Sequence, residues 1–450
     1  MAALSPLLQG TAAERLPRYT SYPTAPNFTP AIDNVVARDW LRALDPSATA
    51  SLYFHVPYCR ALCWYCGCHT KIPSDDAAIS HYVDALLAEI DLVAALLPAR
   101  LGVTHLHWGG GTPTIIGPSA MHRLYEAIFR NFLIEAGAEI AIEIDPRMLT
   151  SEMAMALGTC GFTRASLGVQ TFDPVVQHAI HRIQSADATE AAVRRLRSAG
   201  IRAINFDLIY GLPHQTVASC VKTAERVLAL APDRVAVFGY AHVPAVKANQ
   251  RHIDQTALPD AAMRFAQAEA IAETFVAAGY RRIGLDHFAK SDDPLTHALD
   301  AGTLHRNFQG YTIDRADALL GFGASAIGRL PQGYVQNTPR IAAYREAAAA
   351  GRLAVARGYA LTAEDRLRAA VIERLMCDLT VDLQAVAAMH LPSFDFTRER
   401  AHLAELASDG LLEIDGARVT VRAAMRPFVR RIAAVFDIAR NAGTTHAPAV

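Results

Sequence analysis

From residue 51 to residue 241 the chain alternates β-prone apolar runs with helical patterns, and that rhythm limits the folds open to it. The runs cover 51–56, 103–109, 139–145, 164–170, 203–211 and 233–241, with helical periods between them such as 81–97 and 187–200. Strands separated by helices pair in parallel and cover both faces of the sheet. Six near-continuous apolar strands with crossover helices predict an α/β fold, a partial (β/α)6 barrel over 51–245. A doubly wound sheet shares this local pattern, so the fold class is better defined by sequence than the closure.

Two regions flank that unit. Residues 1–50 include PRYTSYPTAPNF, rich in aromatics and proline without a clear period, and read as an N-terminal arm and lead-in. The barrel and an accessory segment extend to residue 345. Residues 346–450 carry further helical patterns, then LLEIDGARVTV, in which an Asp-Gly turn separates alternating apolar runs. Helices followed by a hairpin predict a mainly helical, winged-helix-like C-terminal domain. A chain of 450 residues is long enough for such a division. With 43 basic and 44 acidic residues the net charge is −1, which gives no electrostatic case for a nucleic-acid or membrane partner. No apolar stretch reaches the roughly 20 residues of a membrane span, and no secretory signal is visible. The expectation is a cytoplasmic protein.

Polar and glycine residues gather where the apolar runs end. Gly109–Gly111 follow the second, Glu143 and Asp145 lie on the third, Gln170 ends the fourth, Asp207 lies on the fifth, and Tyr240–His242 close the sixth. In a parallel barrel these ends form one rim, the face that carries active sites. The first run is followed by Cys59, Cys63, Cys66 and Cys68 in HVPYCRALCWYCGC. Three thiolates in one short loop can hold three corners of a 4Fe–4S cube and leave the fourth iron open to another ligand. A zinc site ordinarily adds a second cysteine knuckle, and the other three cysteines are scattered singly. A disulfide pair is disfavoured by the odd total of seven cysteines and the absent signal. Cys68, two residues beyond Cys66, has little room to bind the same cube.

The C-x3-C-x2-C loop, with Tyr65 before its third cysteine, resembles that of the radical S-adenosylmethionine (SAM) superfamily. In that superfamily SAM chelates the open iron and is cleaved to a 5′-deoxyadenosyl radical. Further segments narrow the resemblance: PRYTSYPTA (17–25), LHWGGGTPT (106–114), IEIDPR (142–147), GVQTF (168–172), FDLIYGLPHQT (206–216), DHFAK (286–290) and HRNFQGYT (305–312). With the fourth cysteine, they resemble the oxygen-independent coproporphyrinogen III oxidases over about residues 18–437. The resemblance implies a radical SAM catalytic domain and oxidative decarboxylation of the two propionates of coproporphyrinogen III to vinyl groups, giving protoporphyrinogen IX in haem biosynthesis.

By the same resemblance, Cys59, Cys63 and Cys66 are the iron ligands and two SAM molecules bind. Tyr53, Gly110, Glu143 and Ile327 match the pocket of the first. Tyr65, Gly111, Thr112, Gln170, Arg182, Asp207 and Ala241 match that of the second. Tyr53 and Glu143, with Phe308 and Gln309, are the expected catalytic residues. Arg18, Lys290, His305 and Arg306 are candidates for the substrate carboxylates. Trp64 is expected to be a packing residue. The expected partners are an electron donor such as flavodoxin or ferredoxin and an unknown electron acceptor, with a monomeric chain. A haem chaperone of the same superfamily is the nearest rival, although the arm, fourth cysteine and second-SAM residues argue against it; a haem-cleaving or other porphyrin-acting radical SAM enzyme is the next. A DNA-binding redox sensor is a more distant one.

Overall fold

The computed structural model describes residues 14–439 and 447–448. The first 13 residues of the expected arm lie outside the described residues. Six parallel strands follow the predicted runs: β1 (Thr49–Val56), β2 (Gly102–Gly110), β3 (Leu133–Ile144), β4 (Arg164–Gln170), β5 (Ala203–Tyr210) and β6 (Arg234–Gly239). Crossover helices start where side chains cap free backbone N–H groups. Asp75 accepts from Ala78 N ahead of helix Asp76–Leu96, and Thr216 forms a capping box with Ser219 ahead of Val217–Ala229.

The strands alternate more strictly than their sequences suggest. Leu52, Phe54 and Val56, Leu106 and Trp108, Ile142 and Ile144, and Phe206 and Leu208 are almost wholly buried and belong to one core. Phe54 stacks on Trp108 with ring centroids 4.4 Å apart and on Phe322 at 4.7 Å. The intervening positions, among them Ser51, His105, His107, Glu139, Glu143, Arg164, Ser166, Asn205 and Asp207, line a cavity inside the barrel. Period-two alternation thus gives an apolar outer layer and a polar lumen.

The sheet is larger than six strands. Ala318–Phe322 pairs in parallel with β1, so a segment more than two hundred and fifty residues downstream adds a seventh parallel strand (Ala318 opposite Ala50). Antiparallel strands Ile327–Leu330, Gly333–Asn337 and Val355–Ala360 extend that edge; Arg281–Ile283 and His287–Ala289 extend the other. Val355–Ala360 belongs to this sheet although it lies beyond the expected division at residue 345. The 12 strands run in linear order, making an open barrel among the described residues.

The C-terminal unit contains helices Ala363–Asp378, Leu383–His390 and Thr397–Ser408. The predicted hairpin, Leu412–Asp415 and Arg418–Val421, pairs with Thr380–Asp382 to make a three-stranded sheet. Gly416 takes the left-handed turn conformation at φ 58°. Tyr19 and Tyr22 of the arm are buried in this unit's core, which ties the arm to the far end of the chain.

One carboxylate holds the added edge to a crossover helix. Glu89 accepts from Gly323 N, Asn337 Nδ2 and Tyr344 Oη, each at 2.7 Å. Burial pushes its pKa from 4.5 up to about 7 against those three donors. Glu89→Ala removes an acceptor from three buried donors and should cost roughly 3–5 kcal/mol. The wild-type protein loses stability as pH rises from about 4.5 through 7, because the folded state prefers the protonated acid. Chemical denaturation should show the variant with a lower midpoint and a weaker decline across that range.

Candidate active site

The cysteine loop leaves β1 at Val56 and is anchored from several sides. Cys59 N donates to Lys71 O at 3.0 Å, and Lys71 N to Pro57 O at 2.8 Å. Asn249 Nδ2 donates to the carbonyls of Cys63, Trp64 and Cys66 at 3.2, 3.1 and 3.0 Å. Gln250 Nε2 ties Tyr65 O to Ala241 O. Trp64 stacks on His181 with centroids 5.2 Å apart, the packing role anticipated for it.

The glycines of LHWGGGTPT serve close approach. A Cβ on Gly111 would lie 2.5 Å from Tyr58 O, and Gly110 sits at φ 115° with Val56 O 2.9 Å from its missing Cβ. Gly111 N donates to Val56 O and Thr112 N to Tyr58 O, both at 2.8 Å. The Thr112 hydroxyl reaches Cys59 Sγ at 3.4 Å. The strand ends therefore lie directly against the thiols.

Arg182 and Arg147 approach from the other side. Arg182 donates to Cys63 Sγ (3.5 Å), Asp145 Oδ2 (3.4 Å) and Gly168 O (2.6 Å). Arg147 reaches Cys63 Sγ at 3.9 Å and grips both oxygens of Asp145. Burial raises the Asp145 carboxyl, but the two arginines more than offset it and hold it below its ordinary range. Burial pushes the Cys59 thiol up to about 11, whereas the hydrogen bond from Cys68 brings Cys66 down to about 6.

Below the loop, Tyr53 Oη hydrogen-bonds His55 Nδ1 at 3.0 Å, and His55 Nε2 meets His69 O at 3.0 Å. A carbonyl only accepts, so His55 carries its proton on Nε2 and receives the Tyr53 hydroxyl proton at Nδ1. Burial lowers His55 to about 4, which keeps the ring neutral. Tyr53 stacks on His107, whose Nε2 meets Glu143 Oε1 at 3.4 Å; Gly110 N donates to Glu143 Oε2 at 3.0 Å. Burial raises Glu143, and these two donors outweigh it and keep the carboxylate ionised. Asp207 differs. Desolvation, then the charge of Glu143, raises it to about 7, with Ser166 Oγ as a distant donor at 3.3 Å. Near neutral pH Asp207 is thus part protonated beside the ionised Glu143, and can donate as well as accept.

Glu143, Asp207 and Gln309 line the lumen cavity of about 1040 Å³. Phe308 faces the adjoining cavity and meets Tyr334 edge-on at 6.2 Å. Ile327 lies one strand beyond Gly321, which is paired with Tyr53; its carbonyl sits 2.8 Å from where a Gly321 Cβ would be. Of the carboxylate candidates, Arg18 donates to Gly239 O, Lys290 pairs with Asp233 (2.9 Å) and His305 with Glu373 (3.2 Å). Arg306 is buried against Tyr311, its guanidinium 4.4 Å from the ring centroid. Asn249, Gln250 and Arg147 are absent from the sequence reading. The first two sit in a short 3-10 helix, Ala248–His252, too brief to show a period, and only their convergence on the cysteine carbonyls marks them.

The residues present fit an iron–sulfur cube with a polar ligand beside it. Among the described residues the thiols do not gather on a single point; a cube, whose irons take one thiolate each, does not require it. Arg182 and Arg147 both direct N–H groups at Cys63 Sγ. Gln170 is left-handed at φ 67°, its Oε1 is buried without a hydrogen-bond partner, and Arg182 Nε is likewise unpaired. Two unused buried polar groups on one rim suit a ligand that brings its own donors and acceptors.

Comparison with known proteins agrees with this geometry. The radical SAM superfamily matches residues 53–227 and the HemN C-terminal domain matches residues 361–424. The chain is 55% identical to an oxygen-independent coproporphyrinogen III oxidase of Bradyrhizobium diazoefficiens over 94% of both chains. It is 44% identical to one of Paracoccus denitrificans over 97% of both. It superposes on the coproporphyrinogen III oxidase of Escherichia coli, described as a radical SAM enzyme, with a TM-score of 0.89 at 37% identity, covering 95% of this chain and all of that one. By sequence along nearly its whole length and by fold, the chain belongs to the oxygen-independent coproporphyrinogen III oxidases of the radical SAM superfamily.

Proposed function

We propose that the chain converts coproporphyrinogen III to protoporphyrinogen IX without oxygen, turning two propionate side chains into vinyl groups for haem biosynthesis. The observation that carries this reading is the relation to proteins of that name, which runs from the arm through the barrel to the C-terminal unit. Each conversion removes one hydrogen atom from the propionate β-carbon, then CO2 and one electron. The cofactors are a 4Fe–4S cluster and SAM, and together they supply the hydrogen-atom-abstracting chemistry. Cys59, Cys63 and Cys66 hold the cluster.

Two SAM molecules fit the polar groups on the rim. Tyr53, Gly110, Glu143 and Ile327 bound the first, with Tyr53 and Glu143 pre-aligned by His55 and His107. Tyr65, Gly111, Thr112, Gln170, Arg182, Asp207 and Ala241 bound the second. Glu143 accepts from ribose or amino groups, while Asp207, part protonated near neutrality, can also donate. Gln309, lining the lumen, and Phe308 beside its mouth orient the reacting propionate; positioning of this kind supplies much of the rate when short, dry contact is needed. The chain works as a cytoplasmic monomer, reduced by a flavodoxin- or ferredoxin-like donor, with a separate acceptor for the electron left on the substrate. No described helix is long and apolar enough to cross a membrane.

Equilibrium titration of the cluster-loaded protein should give two SAM bound per chain. A single equivalent would remove the second-site assignments. Tight haem binding without SAM cleavage would instead favour a chaperone.

A further inference from the structure

Beside the lumen lies a second, larger cavity of about 1590 Å³, walled by the arm, the 305–312 hairpin, the sheet edge and the first C-terminal helix. The two cavities share Asn307, Thr312, Asp314 and Leu319 in their walls, so the outer one lies directly against the inner. Its charge is one-sided. Arg315, Arg329 and Arg366 line it, and among the described residues no carboxylate lies within 4.0 Å of any of the three. Its two acids are already engaged: Asp314 lies 3.3 Å from His105, and Glu373 lies 3.2 Å from His305. Arg315 and Arg329 are exposed and Arg366 half-buried. Arg329 spends one N–H on Ala316 O at 3.3 Å and keeps the rest of its donors. Phe308 and Tyr334 supply an aromatic part of the same cavity's wall.

We infer that this cavity is the substrate-recognition site, in which Arg315, Arg329 and Arg366 grip the propionate carboxylates not undergoing reaction. The inference rests on the reading of the chain as a coproporphyrinogen decarboxylase and names the residues that reading lacks. Arg18, Lys290, His305 and Arg306 already have protein partners, whereas guanidinium groups open to the cavity match carboxylates in bidentate geometry. The flat macrocycle lies against Phe308 and Tyr334, and one propionate passes the shared wall toward Glu143 and Gln309. The substrate enters with four carboxylates and leaves with two, so each turn weakens the grip and favours release of the finished product.

The test uses the cluster-loaded wild-type protein and the Arg329→Gln/Arg366→Gln variant, with Arg329→Lys/Arg366→Lys as a charge-preserving control. Binding is read by fluorescence with coproporphyrin III, the oxidised and unreactive tetra-acid, and with its uncharged tetramethyl ester. The expected result is selective binding of the acid by the wild type, weakened roughly 10–100-fold in the glutamine variant and only partly restored by lysine, which keeps the charge but not the planar fork. Turnover should show a larger change in KM than in kcat, and a salt dependence of KM that is smaller in the glutamine variant. Wild-type turnover with unchanged coproporphyrin binding in a folded glutamine variant overturns the inference and leaves the decarboxylase reading standing. A wild-type protein that neither binds coproporphyrin III nor converts the porphyrinogen overturns the reading on which it rests.

Discussion

Cys63→Ser should yield a folded protein that assembles no stable 4Fe–4S cluster and has no detectable decarboxylation. Cys63 is 7% exposed, and its sulfur takes N–H groups from both Arg182 and Arg147. Iron–sulfur clusters are held by cysteine sulfur. Serine keeps the shape of the side chain but puts a hydroxyl where the sulfur stood. The loop itself should survive, because Asn249 grips backbone carbonyls rather than the side chain. Iron and sulfide analysis after reconstitution checks the result, with circular dichroism as the control for folding. Cys68→Ser provides the contrast. Cys68 is exposed and bonds to Cys66 rather than to the arginines, so its variant should retain the cluster. Full iron content in Cys63→Ser would remove it from the ligand set.

Asp207→Asn should be more stable than the wild type without cofactors and much poorer with them. The pKa of Asp207 rises from 3.8 to about 7 because it is desolvated and faces Glu143. The folded state therefore favours its protonated form, and stability is lost as pH rises from about 3.8 through 7. Asparagine has no such term. Its advantage should be small near pH 4, grow through the acidic range and level off above about pH 7, at roughly 1–3 kcal/mol. Denaturation of cofactor-free protein at pH 5 and pH 8 reads this difference, and an equal gain at both would refute the account of Asp207. The loss on the functional side belongs to the ionised fraction of Asp207, which grows near and above pH 7: a hydrogen bond to a charged group contributes about 1.5–3 kcal/mol, so SAM binding at pH 8 should fall roughly 10–100-fold. Stability given up at Asp207 is thus a consequence of keeping a polar group ready for a ligand.

Much of this architecture is legible in one sequence because it is local. The βα rhythm and the Asp-Gly hairpin each concern residues close along the chain, and each is found where predicted. The seventh parallel strand is not, since Ala318–Phe322 is a short glycine-containing segment recognisable only from its pairing with β1. Val355–Ala360 reads as part of the following alanine-rich region for the same reason: its membership of the sheet is a long-range contact. The polar lumen was partly hidden because strands such as RASLGVQ carry their functional residues among apolar neighbours. Lys290 shows the limit for charges. Its type suits a carboxylate, yet its amine is 2.9 Å from Asp233, and only geometry separates it from Arg315, Arg329 and Arg366.

The most direct test of the central claim is anaerobic turnover of coproporphyrinogen III by the cluster-loaded protein with SAM and a reductant, followed by mass spectrometry. The account predicts protoporphyrinogen IX, two CO2 per substrate molecule, and methionine with 5′-deoxyadenosine. SAM cleavage that leaves all four propionates intact would contradict it.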